Sequence, residues 1–321
     1  MKKILTCLMA ILLIMPSLTA CSDKNQQIEN EKLTIVVTTF PQYDWVKQIL
    51  GEQIENVELI LLVKSGVDFH NFQPSAEDIA KINGCDMFIY IGGESDGWAE
   101  AILKNVSSDT VIIKLIDVVE DRVKEEELVA GMEQETDESH THEDLDEHVW
   151  LSLRNARVIC NYLAVELGKL DGDHADDYRA NVSEYTTKLN ELDEEYQAVV
   201  DKAVFNTLLF GDRFPFRYLV DDYDLDYFAA FTGCSAETEA SFETIVFLAN
   251  KLDELSLTSI IVIEGSSQAL AKTIVENSSD KNQAMLVLDS MQAITDKDIE
   301  AGATYLGIMK SNLEVLKQAL N

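Results

Sequence analysis

The sequence predicts an α/β protein built as two (β/α)4-like lobes with parallel sheets, joined by a long rigid spine helix, with a ligand cleft between the lobes. Three observations carry this. Short β-branched runs alternate with amphipathic segments in the first part of the chain, and the same alternation restarts after residue 205. Between the two lies one uninterrupted apolar stripe at helical spacing. The 321 residues suffice for two ordinary domains. The expected organisation is an N-terminal lobe at 32–172, a spine at 173–204 and a C-terminal lobe at 205–321. Open α/β sheets bind ligands beyond the carboxyl ends of their strands, which places the site in the cleft.

In the first lobe, LTIVVTT at 33–39 reads as a buried parallel strand, and Phe40-Pro41 breaks it. A helix at 43–50 stops at Gly51. VELILLV at 57–63 is a second strand, followed by the loop KSGVDFHNFQP. Ser75 then caps a helix that carries Glu77 and Asp78 in its first turn. Strands at 87–91 and 111–116 flank a helix at 98–103. Residues 117–147 are strongly acidic and read as an exposed excursion with little fixed structure, its histidine-containing part at 120–147. A helix at 153–167 ends at Gly168.

The spine shows in Val182, Tyr185, Leu189, Leu192, Tyr196 and Val199, spaced alternately by three and four after Tyr178. No Gly or Pro interrupts 179–205. A helix of roughly 30 residues is about 45 Å long, more than one small domain needs. The stripe is short for an intermolecular coiled coil, so it is expected to pack along both lobes of a monomer. After it come strands at 207–210, 227–231, 259–263 and 284–288, with helices at 214–222, 242–255, 268–276 and 299–320.

The N-terminus carries an address. Met1-Lys2-Lys3 precedes an apolar run too short to span a bilayer, and Leu18-Thr19-Ala20-Cys21 matches a bacterial lipoprotein box. Residues 1–20 are therefore expected to be a signal peptide, with Cys21 as the lipidated first residue and 21–31 as a polar tether. The protein is expected outside the cytoplasm, held to the membrane by lipid only. Its net charge of −33 argues against a nucleic-acid partner, because phosphate binding needs a basic face. Cys85, Cys160 and Cys234 form no CxxC pair, so a thiolate zinc site is not expected; a disulfide among them stays open.

Five histidines are present, three of them in ESHTHEDLDEHVWLS at 138–152. Imidazole and carboxylate together suit zinc, or manganese where carboxylates dominate. His70 follows the second strand. His148 precedes a helix beside the apolar Trp150. Glu264 and Asp289 end the last two strands. These four share one topological position, which makes them candidate ligands together.

With these residues in place, the chain resembles the solute-binding lipoproteins of bacterial zinc and manganese ABC importers. The resemblance rests on FPQYDWVKQILG, GVDFHNFQPS, DEHVWLS, the spine and GCSAETEAS, in the family's order along the mature chain. It implies two lobes on a rigid helix with one metal held between them. It matches His70 to the histidine of G-x-x-x-H-x-[FY]-x-P-S and His148 to that of D-P-H-x-W-L, with Glu147 in place of proline. It puts the fourth ligand on Asp289. In the third position the chain departs from the family, because GDRFPFRYLVDDY puts Arg213 in the ligand slot. A guanidinium has no lone pair for a cation. Asp212 is the preferred substitute and Glu264 the alternative, with Arg213 and Trp150 orienting the ligands. His140 and His142 are read as an auxiliary metal-capturing loop.

The expected function is capture of a divalent ion, Zn2+ ahead of Mn2+, and its delivery to an ABC permease. An adhesin is the rival from another class. A zinc hydrolase ranks lower, since four protein ligands leave no place for substrate and no HExxH is present.

Overall fold

The structure, a computed structural model, describes residues 32–133, 145–235 and 239–321. The expected signal peptide, the tether with Cys21, and His140 and His142 lie outside these residues. From Lys32 to Asn321 the described chain forms one compact unit.

Two four-stranded sheets organise it, and all their pairings are parallel. The first contains β1 (Leu33–Val37), β2 (Val57–Leu61), β3 (Met87–Tyr90) and β4 (Val111–Lys114), in the order β2-β1-β3-β4. The second contains β5 (Thr207–Phe214), β6 (Asp226–Thr232), β7 (Ser259–Ile263) and β8 (Ala284–Leu288), in the order β6-β5-β7-β8. The two orders are the same permutation, so each loop of one sheet has a counterpart in the other.

The spine is the helix Ala175–Val200. Tyr178, Val182, Tyr185, Leu189, Leu192 and Tyr196 are buried along it, as the three-four spacing dictates. It is fastened at both ends by side-chain hydrogen bonds. Asn181 donates to the carbonyl of Ile49 in the first half at 2.9 Å, and the Tyr196 hydroxyl donates to the carbonyl of Met309 in the second at 2.6 Å. The largest apolar core runs without a break from Ile35 to Leu320 and includes the spine's buried face. The halves therefore share a core rather than meeting across a wet seam.

Four expectations change. The helix expected from 43 starts at Phe40, with Pro41 in its first turn, because proline there gives up only an N–H that has no helical partner. The strand at 207 runs on to Phe214, with a register shift between Phe210 and Arg213. The last helix is two, Asp296–Glu300 and Tyr305–Ala319, parted by Gly302 at φ 89°. The acidic stretch is not a solvated excursion throughout: Val119, Met132, Asp146 and Glu147 are buried, and Glu125 bridges to Leu145.

Candidate metal centre

His70 lies on a short turn, Phe69–Asn71, in the loop after β2. Asp68 caps this turn, its Oδ1 accepting the His70 N–H at 3.0 Å, and buried Phe69 pins it from the other side. The His70 Nδ1 faces Glu147 Oε1 at 3.0 Å and Ser95 Oγ at 2.6 Å. Ser95, from the loop after β3, donates its backbone N–H to Glu147 Oε2 at 3.1 Å and its hydroxyl to Oε1.

His148 is fully buried, just before the turn Val149–Leu151 and the helix Leu153–Leu170 that Ser152 caps. Asp146 Oδ1 accepts the His148 backbone N–H at 2.9 Å and lies 3.0 Å from Nδ1. Asp146 is itself fixed, donating its N–H to the Lys124 carbonyl at 2.8 Å and receiving the Tyr218 hydroxyl on its own carbonyl at 2.6 Å. Trp150 packs 5.2 Å from the His148 ring, its indole N–H bonded to the Ser290 carbonyl at 2.8 Å. The buried anchor thus ties the histidine's turn to the loop after β8.

The two rings meet through their Nε2 atoms, 3.2 Å apart. Each Nδ1 faces a carboxylate and is assigned the proton. Both Nε2 lone pairs then point at the same spot, an arrangement that only a cation between them relieves. A proton can fill that role. Burial pushes the His148 pKa down, but Asp146, then Glu147 and Glu126, more than offset it and raise the value. For Glu147, burial acts upward, and His70 followed by His148 more than offsets it and holds the carboxyl below its usual range. Tetrahedral zinc fits the same gap, since Zn–N bonds of about 2.0–2.1 Å space two nitrogens by roughly 3.3 Å. A carboxylate holding the far nitrogen of each ligating histidine is the usual support of such a site.

A third donor faces this pair. His70, His148 and Cys234 each offer an atom such that all three lie within 4.8 Å of one another. Cys234 is a partly exposed free thiol in the loop after β6. Its sulfur lies 3.5 Å from Glu147 Oε1, and its backbone N–H donates to Glu126 Oε1 at 3.2 Å. Burial first, then Glu147, Glu126 and Asp146, push its pKa up. Sequence spacing had set thiols aside because no two cysteines are close along the chain. Loops from both sheets converge here, so that spacing did not matter. Strand order, which the structure supplies, is what points to it: the loop after β6 is the counterpart of the loop that carries His70. Glu147 was also passed over, as one acid in an acidic run.

The other candidates are placed differently and do not belong to this trio. Arg213 pairs with Asp68 at 2.5 Å, so the guanidinium braces the cap of the His70 turn from the opposite sheet. Burial raises the Asp68 pKa, and Arg213 more than offsets it. Asp212 Oδ1 accepts the Arg213 N–H at 2.9 Å, while its Oδ2 is buried without a hydrogen-bond partner. Glu264 holds the Ser290 N–H, the Ser290 hydroxyl and the Gln292 N–H at 2.7, 2.7 and 3.0 Å. Asp289 Oδ1 accepts the Met291 N–H at 2.8 Å. Burial raises the pKa of both Glu264 and Asp289, and the Asp289 charge adds to the rise at Glu264. Cys85 and Cys160 are buried free thiols in apolar cores. His174 pairs with Asp171 at 2.9 Å beside the spine's start.

Known proteins resemble this chain in sequence and in fold. The sequence profile of the family described as zinc-uptake complex component A, periplasmic, matches residues 35–319. The zinc-binding lipoprotein AdcA of Streptococcus pneumoniae is 31% identical over 322 residues, covering 99% of this chain and 61% of the relative. The chain thus spans about three fifths of the length of its streptococcal relatives. The high-affinity zinc uptake system protein ZnuA of Bacillus subtilis is 28% identical, covering 91% of this chain and 89% of that protein. Among solved structures, the Zn(II)-bound ZnuA-like domain of S. pneumoniae AdcA superposes with a TM-score of 0.70 at 27% identity, covering 90% of this chain and 99% of that one. The metal-dependent lipoprotein YcdH of B. subtilis does so at 0.73 and 26%, with the same coverage. With its profile matched over nearly all the described residues, the chain belongs to the family of the periplasmic component A of zinc-uptake complexes.

Proposed function

We propose that the chain captures one Zn2+ outside the cytoplasm and passes it to the permease of an ABC importer. The observation that carries the reading is the pair of Nε2 atoms 3.2 Å apart, each histidine held at its other ring nitrogen by a carboxylate. His70 and His148 are two ligands of the cargo ion. Asp289 is a further one: it lies half-buried beside Glu264, and among the described residues no cation pairs with either acid. An ion at the cleft would relieve that charge. Nitrogen-rich ligation favours Zn2+ over Mn2+. The relatives' names, a zinc-binding lipoprotein and a zinc uptake system protein, point the same way, and the family is described as a component of zinc-uptake complexes.

In this reading 32–172 and 205–321 are the two metal-binding lobes and 173–204 the spine between them. Residues 1–20 are a signal peptide, and Cys21 carries the lipid that tethers a monomer. No helix among the described residues is long and apolar enough to cross a membrane. The protein binds and hands over an ion and catalyses no reaction. His140 and His142 assist capture without forming the main site.

Calorimetry with Zn2+ tests this. The wild type should bind one ion tightly, and His70→Ala and His148→Ala should each weaken binding by at least about a hundredfold, more than the loss of an outer partner costs. Unchanged affinity in both variants would refute the assignment. Deleting 140–142 should leave the tight site intact.

A further inference from the structure

We propose that Cys234 is a zinc ligand, taking through its sulfur the third position, where family resemblance puts Arg213. The proposal rests on the zinc-capture reading above and specifies its donor set. Four features of the fold support it. The sulfur already shares a 4.8 Å envelope with the two histidines. On tetrahedral zinc, with Zn–S about 2.3 Å and Zn–N about 2.0 Å, sulfur and nitrogen sit roughly 3.6 Å apart, inside that envelope. Cys234 also lies two residues past the outer strand β6, in a loop placed as that of His70 is after the outer strand β2, so the two sheets deliver donors from equivalent places.

The third feature is Gly233. A Cβ there would lie 2.8 Å from His148 Cε1 and 2.9 Å from the Phe214 carbonyl, closer than real Cβ atoms come. Only glycine lets the β6 loop press against the His148 ring and bring the next side chain over it. The fourth is that no other candidate for the position closes on the two histidines as Cys234 does. The Arg213 guanidinium is committed to Asp68, and neither Asp212 nor Glu264 belongs to the group within 4.8 Å. The Cys234 loop is meanwhile braced on the first half through Glu126.

As the ion enters, a Zn–S bond forms and the S–H bond breaks, and the proton leaves to solvent; no oxidant or reductant takes part. A thiolate beside two imidazoles is a softer set than the oxygen-rich sites that suit manganese. Discrimination against Mn2+ is thus built into the β6 loop.

Cobalt(II) substitution reads the ligand directly. The purified protein loaded with one equivalent of Co2+ should show an intense near-ultraviolet thiolate-to-cobalt charge-transfer band that one equivalent of Zn2+ abolishes. Asp212→Asn should keep the band and Cys234→Ser should lose it. Cys234→His should bind Co2+ and Zn2+ one to one without the band, which shows that the fold survives the change. Cys234→Ala should bind Zn2+ at least about tenfold more weakly. One-to-one Co2+ binding that depends on His148 but gives no band, or a band that survives in Cys234→Ser, would overturn the sulfur ligand and leave zinc capture standing. If the wild type bound neither ion in calorimetry, the zinc-capture reading itself would fall and this proposal with it.

Discussion

The two halves of this molecule have the same sheet order and treat their site residues in opposite ways. In the first half, every polar group at the site is held by another. Asp146 holds His148, Glu147 holds His70, Ser95 holds Glu147, and Tyr218 reaches across to hold Asp146. In the second half, the acids that end β7 and β8 hold loop backbone instead, and Arg213 ties down the other half's cap. One half fixes the direction of two lone pairs; the other supplies scaffold, charge and a less tightly held thiol. Duplicate topology therefore does not imply duplicate chemistry. What each loop does depends on which side chains its strand ends deliver.

The broadest way to break this comparison is through what the halves share. Leu189 sits fully buried on the spine within the common core. Leu189→Ala should lower stability by about 2–5 kcal/mol. Because the core is continuous, thermal unfolding should remain a single transition. Two separated transitions in calorimetry would mean that the halves fold independently.

Next come the carboxylates behind the histidines. Asp146→Asn and Glu147→Gln keep size and lose charge, and each should weaken Zn2+ binding by about ten- to a hundredfold. Neither should change the one-to-one stoichiometry. Affinity within a factor of two of wild type would show that the first half does not orient its rings as argued.

The smallest effect is expected for Arg213→Gln. A partly exposed ion pair is worth up to about 1 kcal/mol, so loss of the Arg213–Asp68 contact should weaken zinc binding by no more than a few-fold. A gain in affinity would mean that the cation repels the incoming ion more than it braces the His70 turn.

Much of the fold was legible because its signals are local. β-branched runs, a capping box at Ser75 and Asp78, and the alternating spacing from Tyr178 each depend on neighbours within a turn or two. The end of the last helix pair was misread because Gly302 looks tolerable inside an apolar pattern until its positive φ is known. His70 and His148 could be picked out as strand-end or helix-start residues with ligand chemistry. Cys234 could not, because a single thiol between glycine and serine reads as turn filler. Its relevance depends on β6 lying where β2 lies in the other sheet. Glu147 was hidden by company: among so many acids, nothing local distinguishes the buried one from the solvated ones. Alignment of motifs puts Arg213 in the ligand slot, but it says nothing of the partner Asp68, 145 positions away.

The continuous core has a consequence for how cargo leaves. If the chain carries zinc as proposed, halves packed along a spine and a common interior would resist gaping like jaws, and unloading would proceed by ligand exchange rather than by opening. His148 is fully buried, whereas His70 and Cys234 are less completely enclosed. A competing donor on a docked permease would meet those two first. It would take over coordination one bond at a time, and the buried imidazole would release last. The speed of transfer would then be set by the lability of the bonds to His70, Cys234 and Asp289, and the protein would need no large motion to be an efficient donor.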